Sequence, residues 1–249
     1  MQQVSRIPVC PLCLAKPHPL QADFFCSSCG VAFLSPYPLD EEGKCGLCRL
    51  GLSGFDSAYS FGAYENELRS LIHVFKYGKV QTLARPLGRF LRQALPREQR
   101  FDIIVPMPMH WRKRWQRGFN QAELLAREVS RFTGIPMLAA VKRVHQKEAQ
   151  AGLTNAKRRA NVAGAFRASS FHRVSGKRVL LIDDVMTTGA TAAACAKILK
   201  RAGAQYIALL TVARVDRRLN AAITYGLDPL FPESTISGSY EDAKSGSFA

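Results

Sequence analysis

The sequence is short of acid. Against 35 lysines and arginines it sets 19 aspartates and glutamates, which leaves a formal net charge of +16 over 249 residues. That imbalance says nothing about fold, but it favours acidic partners: nucleic acid, a polyphosphate ligand or an anionic membrane surface. Long apolar runs are also missing. The best of them, Tyr206 to Ala213, is far too short to span a bilayer, so no membrane insertion is expected. The first residues, MQQVSRIPVCPLC, have no apolar core of signal-peptide length. The expected address is the cytoplasm, where thiolate chemistry outweighs disulfides. No internal repeat is visible beyond a recurring C-x-x-C. Hydrophobic residues make up 47% and aromatics 9%, which excludes a wholly disordered chain, a collagen and a short disulfide scaffold. A chain of this length buries about 70–75% of its unfolded surface and needs no disulfide to hold a core.

Cysteine is concentrated where that core is weakest. Six of the seven cysteines lie in the first fifth of the chain, as Cys10-Cys13, Cys26-Cys29 and Cys45-Cys48. The residues between them are rich in Pro, Gly and Ser and show no helical period, so metal is the natural staple. Zinc takes four ligands, commonly two such pairs. The spacings permit either grouping; the preferred set is Cys10, Cys13, Cys26 and Cys29 as one closed structural site. Cys45 and Cys48 would then substitute for a pair, or hold a second metal with help from His18. A redox C-x-x-C would need a thioredoxin-like βαβ context, which is absent here. Cys195 falls inside a helical pattern and reads as a small buried hydrophobe.

From about Phe55 the pattern becomes alternating helices and strands. Glu65 to Tyr77 puts Leu68, Leu71, Ile72 and Phe75 on one helical stripe. Ile103 to Val105 is a short strand. Asn120 can cap a helix, with Glu123 three residues on as in a capping box; that helix carries Leu125, Val129 and Phe132 and stops at Gly134, with Pro136 beyond. Val179 to Ile182 is a strand, Thr188 to Ala202 a helix closed by Gly203, and Tyr206 to Val212 the next strand. This order implies an open parallel α/β sheet. After about Arg218 the pattern fades into a polar stretch that reads as a flexible tail.

The sharpest motif is VLLIDDVMTTGAT, Val179 to Thr191. A buried strand ends in two aspartates, and a Thr/Gly loop then opens a helix. Ligands of open α/β sheets bind outside the carboxyl ends of the strands, and free N–H groups at a helix start favour an anion. Gly189 lets the backbone come close, and Thr187, Thr188 and Thr191 add donors. Asp183 and Asp184 would repel that anion; they suit two ribose hydroxyls or a bridging Mg²⁺. The arrangement resembles the phosphoribosyl diphosphate (PRPP) signature of type I phosphoribosyltransferases. The resemblance implies that Asp183 and Asp184 hold the ribose 2′ and 3′ hydroxyls. It also implies that the loop of Met186, Thr187, Thr188, Gly189, Ala190 and Thr191 holds the 5′-phosphate.

A second segment, PMPMHWRKRWQRGFNQ (Pro106 to Gln121), carries Arg112, Lys113, Arg114 and Arg117 without an acid. Guanidiniums bind phosphates bidentately. Trp111 and Trp115, if exposed, can stack on unpaired bases for about 1–3 kcal/mol per base; if packed inside, they leave the arginines merely solvated. A further basic stretch, Lys142 to Arg159, reads as a mobile lid or as a solvated helix face.

Together these pieces resemble the ComF family of competence-associated proteins, which joins an N-terminal zinc ribbon to a phosphoribosyltransferase-like domain. The matching residues are the C-x-x-C pairs, LIHVFKYG (Leu71 to Gly78), Val105 to Ala126, Gln150 with Leu153, Arg158, Asn161, Ala165-Phe166 and the PRPP loop. Many members carry four C-x-x-C pairs where this chain has three. The resemblance implies a zinc ribbon over 1–54, a type I phosphoribosyltransferase-like open parallel sheet over 55–216, and a tail over 217–249. It implies an accessory role in DNA uptake during natural transformation. Single-stranded DNA would bind at Trp111, Arg112, Lys113, Arg114 and Arg117, a PRPP-type ligand with Mg²⁺ at the loop, and an uptake helicase is a candidate partner. The alternative is an active phosphoribosyltransferase that moves ribose 5-phosphate from PRPP to an acceptor, with Asp183 and Asp184 at its centre; no acceptor-recognition element is evident. A third reading makes the phosphate loop a sensor that sets affinity for DNA or for a protein.

Overall fold

The computed structural model of the protein describes residues 7–51, 54–144, 165–169 and 171–215. The lid candidates Lys147, Lys157, Arg158 and Arg159, together with His145, Gln150, Leu153, Asn161 and the tail, lie outside the described residues.

Four strands form a wholly parallel sheet. In chain order they are β3 (Ser57–Ala63), β4 (Ile103–Pro106), β7 (Arg178–Met186) and β8 (Tyr206–Arg214), and in space they run β3-β8-β7-β4. Side chains alternate between the faces of a strand, and the apolar residues divide accordingly. Ile103, Val105, Val179, Leu181, Ile207 and Leu209 pack on one face, against Cys195, Ala196 and Leu199 of helix α8 (Ala190–Arg201). Ile104, Leu180, Ile182, Ala208, Leu210 and Val212 pack on the other, against α3 (Asn66–Tyr77), α4 (Ala84–Ala94) and α6 (Gln121–Thr133). Burial on both faces is what makes parallel strands nearly continuous apolar runs.

The helical stripe expected on α3 is found: Leu68, Leu71, Ile72 and Phe75 are its buried residues. Helix α6 starts as expected, with Asn120 accepting from the Ala122 N–H at 3.1 Å, and ends at Gly134 in the left-handed conformation. The capping box does not close. Glu123 turns to Arg127 at 2.6 Å and Arg114 at 3.5 Å, because two guanidiniums outbid one backbone N–H. Cys195 is fully buried, as expected.

Two short strands, β5 (Val141–Arg143) and β6 (Phe166–Ala168), pair antiparallel; a short helix, α7 (Phe171–Val174), follows. Helix α5 (Trp111–Arg117) follows β4. No helix among the described residues is long and apolar enough to cross a membrane.

The cysteine-rich segment carries little regular structure: α1 (Pro11–Ala15), β1 (Phe24–Phe25), β2 (Ala32–Phe33) and α2 (Gly46–Arg49). It is moored to the sheet by backbone and by one buried cation. The Leu20 N–H donates to the Phe61 carbonyl at 2.7 Å, and Arg214 at the end of β8 donates to the Cys29 carbonyl at 2.7 Å. Gly30 comes so close to β3 that a Cβ there would stand 2.3 Å from the Ala58 carbonyl oxygen. With its φ of +65°, only glycine fits that approach.

Candidate functional site

All four sheet strands run the same way, so the loops after β4 and β7, which are neighbours in the sheet, leave from one edge. That edge carries both motifs singled out in the sequence.

Strand β7 runs four residues further than the Val179–Ile182 expectation. It keeps pairing with β8 through Asp183↔Thr211, Val185↔Ala213 and Met186↔Arg214. The two aspartates are therefore held inside a paired strand, not at a loose strand end. Helix α8 starts at Ala190, two residues later than expected, behind Gly189 at φ +73°. A Cβ at Gly189 would lie 3.0 Å from the Met186 methyl carbon, so glycine makes both the turn and the packing possible. Thr188 Oγ1 accepts from the Ala190 N–H at 3.1 Å and braces the loop. Thr187 and Thr188 are exposed, and Ala190 and Thr191 half-buried. Met186 closes strand β7 ahead of the loop. Its side chain is buried and its carbonyl accepts from the Val215 N–H at 2.9 Å, so it supports the loop from beneath.

The acid pair is half-buried. Asp183 accepts the Asp184 N–H at 2.9 Å. Burial first, and the neighbouring Asp184 charge second, push the Asp183 carboxyl up to about 7. Asp184 is paired with a residue absent from the sequence-based site: Lys76, from the last turn of α3, whose Nζ stands 2.8 Å from Asp184 Oδ1. Burial works against the Lys76 charge, but the Asp184 carboxylate outweighs it and the ammonium lies above its ordinary range. Arg143 of β5 also feels Asp183, and its Nε is buried without a hydrogen-bond partner among the described residues. Lys113 completes the group. Desolvation first, then Arg143, Arg117 and Lys76, hold its ammonium below the usual lysine range. Cations that act on one another in this way favour an anion nearby. The Lys76 ammonium stands at Asp184 Oδ1, beside the place expected for a bridging Mg²⁺.

The basic segment forms α5, none of whose residues is buried. Trp111 is 65% and Trp115 84% exposed, so the alternative in which both pack inside does not hold. The Arg112 guanidinium lies 5.3 Å over the Trp111 ring. Arg117 is tied down instead: it lies 5.0 Å over the Tyr77 ring, donates to the Tyr77 hydroxyl at 3.3 Å and to Gln121 Oε1 at 3.2 Å. Arg114 faces Glu123. The helix thus divides its cations. Lys113 feels Arg143, Arg117 and Lys76, and Arg117 is held by Tyr77 and Gln121, whereas Arg112 stands with the exposed indoles.

The metal centre differs in membership from the preferred grouping. The thiols of Cys26, Cys29, Cys45 and Cys48 lie within 4.8 Å of one another. Cys10 and Cys13 form a separate pair with sulfurs 3.0 Å apart. His18 joins no cluster of potential ligands among the described residues. The reason is local. The β1-β2 hairpin and the Ser27 N–H bond to the Gly43 carbonyl at 2.8 Å fold the second cysteine pair onto the third. The Cys29 and Cys45 sulfurs are 3.8 Å apart, close to the edge of a tetrahedron with Zn–S bonds of about 2.3 Å. Backbone N–H groups of Cys29 and Cys45 point at Cys26 Sγ at 3.5 and 3.3 Å. The thiols of Cys29 and then Cys48 hold Cys26 far below the usual thiol range, so it is ready as a thiolate. This donor set can hold a metal ion and suits structural zinc.

Sequence comparison with known protein families agrees with this architecture. The family model described as a phosphoribosyl transferase domain matches residues 116–224, from the end of α5 through the acid pair and beyond β8. Competence protein F of Haemophilus influenzae is 33% identical over 211 residues, covering 82% of this chain and 90% of that protein. DNA utilization protein YhgH of Salmonella typhimurium is 29% identical over 213 residues, covering 83% of this chain and 90% of its own. Among solved structures, a phosphoribosyltransferase from Corynebacterium diphtheriae matches 65% of this chain and 89% of its own at 23% identity, with a TM-score of 0.34. The fold is a phosphoribosyltransferase-like parallel sheet with a small N-terminal cysteine-ligand module.

Proposed function

The chain belongs to the ComF family of competence-associated proteins, and on that premise we propose that it serves DNA uptake by binding single-stranded DNA beside a phosphoribosyl site. The relatives named for competence and for DNA utilization support a DNA-uptake role. One observation carries the finer reading: a helix with two exposed tryptophans and a Thr-Thr-Gly loop leave neighbouring strands of a parallel sheet at the same edge. Unpaired bases stack on Trp111 and Trp115, while Arg112 and Arg114 meet the backbone. The loop from Thr187 to Thr191 takes a 5′-phosphate, and Asp183 and Asp184 accept from ribose hydroxyls. Zinc on Cys26, Cys29, Cys45 and Cys48 is structural, because a closed four-thiolate site leaves no open position for chemistry. Magnesium enters only as a companion of a diphosphate group, outside the acid pair. On this reading residues 1–54 are a zinc ribbon, 55–216 the phosphoribosyltransferase-like domain and 217–249 a tail. The setting is cytoplasmic, with an uptake helicase as a candidate partner.

The cations Lys76 and Arg143 beside the acid pair favour a second reading, an active phosphoribosyltransferase, since departing diphosphate needs positive charge. Calorimetric titration separates the two. The first reading expects PRPP and single-stranded oligonucleotide each to bind, DNA affinity to fall steeply with salt, and no diphosphate to be released. Release of diphosphate with an added acceptor moves the assignment to the enzyme. Failure of both ligands to bind removes the proposal.

A further inference from the structure

The acid pair and the phosphate loop both lie within residues 179–191, yet the charge balance of this site is set from outside that motif. Lys76 reaches Asp184 from the last turn of α3, with its Nζ 2.8 Å from Oδ1. Its side chain is 15% exposed and that of Asp184 13%, so the ion pair is largely shielded from water. A pair at a surface would exchange with solvent; one this enclosed stays made unless something better arrives.

The lysine is also held from behind. The buried stripe of α3 ends at Phe75, which is fully enclosed and meets Phe119 with ring centroids 5.7 Å apart. Tyr77 on the other side is clamped by the Arg117 guanidinium. Residues 75 and 77 are both held, so the backbone that carries Lys76 is fixed in place. Lys76 thus supplies a unit positive charge at the place where a metal ion would neutralise the aspartates. The second carboxylate, Asp183, has the Arg143 guanidinium in its field as its further cation. One carboxylate oxygen spent on Lys76 leaves Asp184 with Oδ2 and spare lone pairs for sugar hydroxyls.

We infer that Lys76 is the resident counter-cation of the Asp183–Asp184 pair, so that the site takes a ribose 5-phosphate group without a divalent metal. The inference rests on the phosphoribosyl reading of the loop for its ligand, but not for its charge balance. Lys76 is a positioning residue: it fixes the ionised state and the orientation of Asp184, which in turn meets the sugar.

The test compares wild type, Lys76→Met and Lys76→Arg, each as the full zinc-loaded chain, in magnesium-free buffer without chelator and in magnesium. Ribose 5-phosphate is the calorimetric probe. Wild type and Lys76→Arg are expected to bind it equally in both buffers. Lys76→Met is expected to lose about tenfold in affinity in the magnesium-free buffer, as the unneutralised pair takes up a proton, and to recover in magnesium. A second readout needs no sugar. Magnesium alone at roughly 10 mM should raise the melting temperature of Lys76→Met by about 3–5 °C and leave wild type unmoved. Wild-type binding that requires magnesium, or equal thermal shifts in wild type and Lys76→Met, overturns the inference while leaving the phosphate loop intact. If wild type binds no ribose 5-phosphate in either buffer, the loop reading fails instead, and the melting experiment still decides the role of Lys76.

Discussion

The sheet and the cysteine segment are held together by different physics, and the contrast shows in their elements. Strands β7 and β8 run for nine residues each and pair along almost their full length. Strands β1 and β2 run for two residues each. The sheet buries apolar side chains on both faces, and its order is a consequence of that burial. The cysteine segment has two buried cysteines, Cys26 and Cys45, and exposes Leu12, Leu34, Tyr37, Leu47 and Leu50. Its order comes from directed bonds: sulfur ligands, turn hydrogen bonds and the Arg214 tether. Shape made by burial tolerates change spread over many neighbours, whereas shape made by four ligands fails when one is removed.

The largest expected effect breaks this contrast most directly. Cys26→Ser, or a strong chelator, should abolish metal content and disorder the Phe24–Arg49 region while the sheet keeps its far-ultraviolet signal. Structural zinc contributes about 10–16 kcal/mol of apparent binding energy to small folds of this kind. Zinc content and proteolysis across residues 24–49 check it. Cys10→Ser should leave the zinc content unchanged, since that sulfur lies outside the cluster. If Cys10→Ser loses as much metal as Cys26→Ser, the membership of the centre is wrong.

Next in size is the reciprocal cut. Ile182 is fully buried between β7, β8 and the helices of one face. Ile182→Ala should cost about 2–5 kcal/mol in denaturant unfolding, with zinc content unchanged in the folded protein. Equal sensitivity of that variant to chelator and to denaturant would show that the two regions fold as one cooperative unit, and the contrast would have to be redrawn.

What could be read from the sequence follows the same division. Periodicity located α3, α6, α8 and the strands β4, β7 and β8, because buried apolar faces write themselves into residue spacing. It missed β3, whose SAYSFGA alternates small and polar residues, and α4, whose ARPLGRFLRQA contains a proline and a glycine that tertiary packing overrides. The cysteine pairs announced a metal, but spacing alone left their grouping open, since the fold-back through Ser27 and Gly43 has no spacing signature. The acid pair and its loop were legible as a local motif. Lys76 was not, as it lies more than a hundred residues away and a lysine on a helix usually faces solvent. The hints were its place directly after Phe75 on a stripe that must face the sheet and its membership of LIHVFKYG, a segment that carries the family resemblance.

Acidity offers a smaller effect, confined to the sheet edge. Asp183 has an ordinary value of 3.8 and is raised to about 7 in the fold. Between those values the folded protein holds a proton that the unfolded chain releases, so this group stabilises fully below about pH 4 and the contribution is lost as pH rises through 7. The groups facing it are Asp184, Lys76, Arg143 and the Cys195 thiol, which burial holds above its usual range. Asp183→Asn should flatten the decline in unfolding free energy between pH 4 and 7. Affinity for ribose 5-phosphate should run the opposite way in wild type, rising toward pH 7 as the carboxylate becomes a pure acceptor. A wild-type stability profile that climbs over that window would contradict the burial of the pair.

The smallest effect on stability tests the boundary between the sheet edge and its exposed helix. Trp115 is 84% exposed and contributes to no buried cluster, so Trp115→Ala should change unfolding free energy by less than about 0.5 kcal/mol. Its expected cost falls on nucleic acid instead, about 1–3 kcal/mol of single-stranded DNA affinity if one base stacks there. The salt slope should stay as in wild type, because no charge is removed. Arg112→Ala should do the reverse, lowering the slope by about one counterion for the phosphate it no longer neutralises, while keeping the tryptophan quench on binding. If both variants weaken DNA binding only through the slope, the indoles are bystanders and the helix is an electrostatic handle. If the quench vanishes with Trp115 alone and the slope holds, the exposed helix is a stacking platform raised over a site that the sheet keeps rigid.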